Sequence, residues 1–219
     1  MLFLQANYIR SLSKKDIRNY YLTIVVSMIV LGLLSGLTAK LFGGDLSSVQ
    51  LYTKSGLSKK QFIFFAVIYA PIVEELAFRY FLNYKVESSR ISFSLMFGYC
   101  CITLFSFFSM GIYKYFFVLL FSGLFYMFYS KKIDEEFVEK WKGIYIYLSV
   151  FFFGFSHIMN FDFDLITVAH IPYIFIYGLV LSIYGYTFTV IRIRKGMKYS
   201  MLVHALKNYY SSVSLLLFL

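Results

Sequence analysis

Long runs of apolar residues alternate with short polar connections along most of the 219-residue chain. A helix needs about 20 consecutive, predominantly apolar residues to cross a hydrocarbon core of roughly 30 Å. Seven segments meet or approach this length: 20–42, 61–83, 91–110, 112–129, 143–160, 165–191 and 199–219. The pattern predicts an all-α fold, a polytopic transmembrane bundle of about seven to eight helices that forms one integral membrane domain over residues 1–219.

Lys and Arg residues divide unequally between the connections that join these helices. If the N-terminus is cytoplasmic, 14 of them fall in inside connections and 5 in outside connections. Because cytoplasmic loops carry the excess of Lys and Arg, the sequence predicts a multi-pass protein of the cell membrane with its N-terminus inside. Residues 1–19 alternate apolar and basic character, which is typical of an interfacial segment. The basic 43–60 stretch fits least well, and a re-entrant or interfacial arrangement is its alternative.

Composition supports the membrane class. Hydrophobic residues make up 60% of the chain and charged residues 15%, with a mean hydropathy of +0.71. Soluble domains carry about 25% charged residues, so a compact cytosolic enzyme and a disordered chain are both excluded. The net charge of +10 is expected to face anionic lipid, so we predict the bilayer as a partner and no nucleic acid. The adjacent cysteines, Cys100 and Cys101, give no disulfide framework.

Three charged residues lie in the otherwise apolar segment 61–83. They are Glu74, Glu75 and Arg79, and each costs a few kcal/mol in hydrocarbon, so each needs a reason to be there. Glu75 and Arg79 are four residues apart and share a helical face, which predicts an ion pair. Glu74 is rotated about 100° away and is predicted to do chemistry. A purely structural ion cluster is the alternative.

Polar residues also occur in two later spans. His157 lies near the end of segment 143–160, while His204 and Asn208 share one face of segment 199–219 at i,i+4 spacing. Taken singly, each is also consistent with a hydrogen-bonded core histidine or an asparagine that bridges helices. His170, just before Ile171-Pro172 and without a polar neighbour at helical spacing, is predicted to be structural.

Together these residues predict a polar pocket that could hydrolyse an amide by two routes. In the first, Glu74 is the general base for a water held by His157, and His204 and Asn208 donate to the oxyanion. In the second, Glu74, His157 and His204 bind a catalytic zinc. The sequence contains no His-Glu-x-x-His, no Gly-x-Ser-x-Gly and no phosphate-binding loop. If the side chains converge within about 4–6 Å, they could share a water or a metal.

Three motifs occur in order, each on a hydrophobic segment. They read Glu-Glu-x-x-x-Arg at 74–79, Phe-x-x-x-His at 153–157 and His-x-x-x-Asn at 204–208. This ordered set resembles the CPBP family of intramembrane proteases, which includes the CAAX prenyl endopeptidases and bacterial proteins linked to bacteriocin immunity and peptide maturation. The resemblance covers roughly residues 61–219, which it marks as a protease-like core.

The resemblance implies an intramembrane endopeptidase that acts on membrane-associated peptides or proteins. It implies catalytic roles for Glu74, His157, His204 and Asn208, and supporting roles for Glu75, Arg79 and Phe153. Whether the family uses zinc or a glutamate-activated water is left open by the motifs. We favour the glutamate route without a cofactor, with zinc on Glu74, His157 and His204 as the alternative.

The chain departs from the family pattern in one place. Glu74 and His157 are 83 residues apart, which predicts an added helical hairpin over 91–129. Because two helices cross the membrane out and back, the later motifs stay on the same side of it. The addition nevertheless weakens any inference that this chain cleaves the substrates of the CAAX prenyl endopeptidases. Two other functions stay open: a non-catalytic immunity or scaffold protein of the same fold, and a proton-coupled transporter. The transporter is disfavoured because paired, broken helices are not found in the sequence.

Overall fold

The computed structural model describes residues 58–105 and 113–217, together with scattered helical positions between 18 and 41. Within these ranges the protein is helical and contains no strands, so the all-α prediction is confirmed for the described part of the chain. The predicted interfacial segment 1–19, the first span 20–42 and the 43–60 stretch lie almost entirely outside the described residues.

Six long helices account for most of the described ranges. They are α1 (Lys59–Asn83), α2 (Val86–Phe105), α3 (Tyr113–Tyr129), α4 (Glu135–Ser156), α5 (Ile171–Lys195) and α6 (Met197–Leu217). Two of the described helical segments, Lys59–Asn83 and Val168–Lys195, are long and apolar enough to cross a membrane. Each predicted segment from 61–83 onward overlaps one of these helices.

Helix α4 begins eight residues earlier than the predicted span 143–160. Asp134 is its N-cap, and the Asp134 side chain accepts a hydrogen bond from the Phe137 N–H at 2.9 Å. Glu135 and Glu136 occupy the first turn, where the helix dipole favours negative charge. The hydrophobic run alone therefore places the start of this helix too late.

The hairpin predicted to be an addition is only partly peripheral. Helix α2 packs against α1 and α4 as well as α3, while α3 makes its main contacts with α2. Tyr99 and Ile102 of α2 belong to the same buried cluster as Phe78 of α1 and Phe153 of α4. Helix α2 is therefore part of the core, and α3 packs on its outer side, where Val118 reaches the same cluster.

The connections between α1 and α2, between α3 and α4, and between α5 and α6 gather at one end of the bundle. Arg90, at the start of α2, donates from Nε to the Ile133 carbonyl in the α3–α4 connection at 3.1 Å. Ile133 packs in a second buried cluster with Phe81 and Leu82 of α1, and Ile193 of α5 borders that cluster. These three connections therefore lie on the same side of the described bundle.

Glycines allow two helix pairs to approach closely. A Cβ at Gly98 of α2 would lie 2.4 Å from the Val118 carbonyl oxygen of α3. A Cβ at Gly154 of α4 would lie 2.3 Å from the Gly178 carbonyl oxygen of α5. Because Gly154 lies one turn before His157, this second approach fixes the separation of α4 and α5 beside the polar cluster described below.

We expect Gly154→Ala to destabilise the protein by about 1–3 kcal/mol, because the new methyl group must push a backbone carbonyl away. The matched control is Gly143→Ala on the same helix, where a Cβ would meet nothing within 4 Å. The control should be neutral or slightly stabilising, since Ala favours helix by about 1 kcal/mol over Gly. Thermal midpoints in detergent measure both changes, and equal midpoints for the two variants would contradict the packing argument.

Candidate active site

Glu74 lies on α1, where its side chain meets histidines from two other helices. Its Oε2 atom is 3.7 Å from His157 Nε2 and 3.5 Å from His204 Nε2. Glu74 is 8% exposed and His204 is 1% exposed. The structure therefore brings together three of the predicted catalytic residues, at distances that a shared water or cation could bridge.

Each histidine is oriented by a hydrogen bond from its other ring nitrogen. His157 Nδ1 lies 2.7 Å from the Phe153 carbonyl oxygen, and His204 Nδ1 lies 3.1 Å from Glu75 Oε1. A carbonyl and an ionised carboxylate can only accept, so each Nδ1 carries the proton. In the neutral rings, both Nε2 atoms then face Glu74 as hydrogen-bond acceptors.

This tautomer assigns His204 a role different from the one predicted from the sequence. A neutral imidazole that donates from Nδ1 has a lone pair on Nε2, and it cannot donate from that atom to an oxyanion. Glu74 Oε2 and the two Nε2 atoms are three acceptors that face one another. They are suited to hold a water through its two hydrogens, or a cation.

Glu75 accepts hydrogen bonds from three residues around the site. Arg79 Nη1 donates to Glu75 Oε1 at 2.6 Å, so the predicted ion pair is present. Ser200 Oγ donates to Glu75 Oε2 at 2.6 Å, and His204 Nδ1 supplies a third donor. A carboxylate that accepts from three donors is held in place by charge-assisted hydrogen bonds, so Glu74 is the candidate base of the pair.

Arg79 is fully buried between aromatic rings. Its guanidinium carbon lies 4.4 Å from the centroid of the Phe153 ring and 5.3 Å from that of Phe188. Its Nη2 atom donates to the Gly185 carbonyl oxygen at 3.1 Å. Cation–π contacts and charge-assisted hydrogen bonds together hold this charge away from water.

Phe153, predicted as a supporting residue, packs against both histidines. Its ring centroid lies 4.8 Å from that of His157 and 5.6 Å from that of His204. The His204 ring also stacks on Phe188, with centroids 4.5 Å apart. The aromatic rings therefore fix the planes of the two imidazoles, and the hydrogen bonds fix their rotation.

Asn208 bonds to another helix, which is the alternative role predicted from the sequence, and its donation to the oxyanion stays a prediction. Its Nδ2 atom donates to the Ala66 carbonyl oxygen of α1 at 2.9 Å. Ala66 lies in a π-helical turn, Phe65–Tyr69, in which the Ala70 N–H bonds to the Phe65 carbonyl. The next position, Pro71, has no N–H to offer the Ala66 carbonyl. Asn208 therefore supplies the hydrogen bond that the proline withholds, and bridges α6 to α1.

His170 is separate from this cluster. Its Nδ1 atom accepts from the Thr167 N–H at 3.0 Å and lies 2.9 Å from Thr167 Oγ1. The two residues form a capping box on the 3-10 turn Val168–His170, which leads into α5. The structural interpretation of His170 agrees with this geometry, although Thr167 is a polar neighbour that the sequence argument overlooked.

Ser200 is the site residue that the sequence argument missed. It is fully buried and lies four residues before His204 on α6, so the two side chains share a face. The spacing Ser-x-x-x-His-x-x-x-Asn was therefore the available signal. A single serine in an apolar helix is ordinarily explained by a bond to its own helix, which hides such a role.

The zinc alternative uses Glu74, His157 and His204. Metal-ligating histidines also donate their second ring N–H to a carbonyl or carboxylate, and the donor types suit zinc. Within residues 58–105 and 113–217, however, no group of three or more His, Cys, Asp or Glu side chains is placed to hold a metal ion. A metal titration of the purified protein tests whether these three residues bind zinc.

The cluster contains one residue from each of the three ordered motifs. These residues are Glu74, His157 and His204, and their side chains meet in one place. No protein-family model, no curated protein and no solved structure matches the chain.

Proposed function

We propose that this protein is an intramembrane endopeptidase that hydrolyses membrane-associated peptides or proteins with a water activated by Glu74. One observation carries the proposal: two imidazole Nε2 atoms lie 3.5 and 3.7 Å from one oxygen of a buried carboxylate. A water between these acceptors can donate one hydrogen to Glu74 and the other to a histidine. A general base held this close to its water contributes about 10²–10⁴ to the rate.

In the proposed reaction, Glu74 takes a proton from the water as its oxygen attacks the peptide carbonyl carbon. His157 and His204 orient the water through their Nε2 lone pairs. The tetrahedral intermediate collapses when Glu74 passes its proton to the leaving amine and the carbon–nitrogen bond breaks. Glu75 and Arg79 take no part in these proton transfers, because they hold His204 and each other in place.

We further propose that the chain crosses the cell membrane several times, with its N-terminus in the cytoplasm. The length and apolarity of Lys59–Asn83 and Val168–Lys195 support this. So does the outer surface of α3, where Phe116, Met127 and Phe128 are each more than 60% exposed. Side chains of this size are stable there when they face lipid. The bilayer and a membrane-associated substrate are the proposed partners, and no nucleic acid is proposed.

Cleavage by the purified protein in liposomes tests the proposal. We expect the protein to cut members of a library of membrane-anchored peptides, with products identified by mass spectrometry. We also expect a strong zinc chelator to leave the rate unchanged, because Glu74 activates water directly.

About one equivalent of bound zinc, with activity that a chelator removes and zinc restores, would refute the direct route while keeping the protease assignment. No cleavage of any library member would favour the alternative function, a non-catalytic immunity or scaffold protein. A further control is the same library in liposomes without protein.

A further inference from the structure

Lys207 lies near His204 on α6 and has no role in the reaction proposed above. It lies on α6, three residues after His204, so the two side chains share a helical face. Its Nζ atom is 5.1 Å from the centroid of the Tyr184 ring, and Tyr184 is 1% exposed. The opposite charges of Lys207 and Glu74 attract each other in this region. Lys207 therefore lies on the face of α6 that carries His204, with its ammonium group against a buried tyrosine.

Among the site residues already described, none directs a charged donor at the oxyanion. His157 and His204 present acceptor atoms to the pocket when they are neutral, and Asn208 donates to the Ala66 carbonyl. Arg79 is directed to Glu75 and to the Gly185 carbonyl. Of the two described cations whose charge is attracted to that of Glu74, Arg79 is bound to Glu75, which leaves Lys207.

We propose that Lys207 is a further catalytic residue, whose ammonium group stabilises the oxyanion of the tetrahedral intermediate. The inference rests on the proposed peptidase function. As water attacks, an O–H bond breaks and its proton goes to Glu74, a carbon–oxygen bond forms, and the carbonyl π pair moves onto oxygen. Negative charge therefore moves from Glu74 to the oxyanion. A cation close to Glu74 compensates this charge before and after the transfer, in surroundings of low dielectric.

A lysine pair on α6 provides the test. Lys207→Met keeps a long side chain and removes the charge, and we expect kcat to fall about 10²–10³-fold, the usual loss for one oxyanion donor. KM should change little, because the interaction forms in the transition state. Lys207→Arg should restore part of kcat. The matched control is Lys198→Met, since Lys198 is exposed near the start of the same helix, and it should retain wild-type kcat.

A phosphonate peptide, which is anionic and tetrahedral, gives a second measurement that needs no turnover. Lys207→Met should weaken phosphonate binding by about the same factor as kcat, and should leave binding of the matching uncleaved amide unchanged. Wild-type kcat in Lys207→Met, or an equal loss of amide and phosphonate binding, would overturn the role of Lys207 alone. A wild-type protein that neither cleaves peptides nor binds the phosphonate would overturn the peptidase function, and this role with it.

Discussion

Replacing Glu74 with Gln is expected to abolish detectable cleavage of membrane-anchored peptides, a loss of at least about 10²–10⁴-fold. Gln has the shape of Glu but cannot take a proton from water. The two Nε2 atoms that face Glu74 Oε2 at 3.5 and 3.7 Å would remain in place. The rate in liposomes, normalised to the amount of folded protein, measures the effect.

Glu74→Gln should also remain in the membrane at near-normal abundance. The carboxylate of Glu74 is not the one that holds Arg79, so no buried cation loses its partner. Membrane abundance and the thermal midpoint in detergent provide the control for folding. Cleavage that persists in this variant would refute Glu74 as the general base, whatever the other residues do.

Replacing the neighbouring Glu75 with Gln should instead destabilise the folded protein, by about 3–5 kcal/mol. The Glu75 carboxylate accepts from Arg79, Ser200 and His204. Without its charge, Arg79 becomes an unpaired cation with no exposed surface. We expect a lower thermal midpoint and reduced abundance in the membrane. Activity would fall mainly through loss of folded protein.

Glu139→Gln on α4 is the matched control for this second prediction. Glu139 also pairs with a basic residue, Lys142, but its side chain is 73% exposed, and such surface pairs contribute at most about 1 kcal/mol. Stability close to that of the wild type is therefore expected. If Glu75→Gln instead folds normally and loses only activity, as Glu74→Gln does, the division between a reacting and a supporting carboxylate is wrong.

Local spacing accounts for the features that could be predicted from the sequence. The apolar runs indicate where α1 to α6 lie, because a long run of apolar residues is itself the signal for a buried or membrane-spanning helix. The Glu75–Arg79 pair follows from i,i+4 geometry within one helix. The convergence of Glu74 with His157 and His204 was an expectation from the order of three motifs, and the distances agree with it.

Helix boundaries and the place of the hairpin depended on more than hydrophobicity. Helix α4 starts at Glu135 because of its Asp134 cap and acidic first turn, which no apolar pattern reveals. Helix α2 packs against three helices, while α3 packs mainly against α2. Both helices are strongly apolar, so composition alone could not show which of them packs against several helices and which packs at the outside of the bundle.

The hydrogen-bond partners of the site were decided by tertiary structure. His204 bonds to Glu75 across 129 positions of sequence, and Asn208 bonds to Ala66 across 142. Local spacing shows which face of a helix a side chain occupies, but not which atom of another helix it meets. The His204–Glu75 bond places a proton on Nδ1, so the neutral His204 ring presents an acceptor to the pocket. The sequence by itself determined the helices and the candidate groups, whereas the packing of α1, α4 and α6 decided which group accepts, which donates and which only supports.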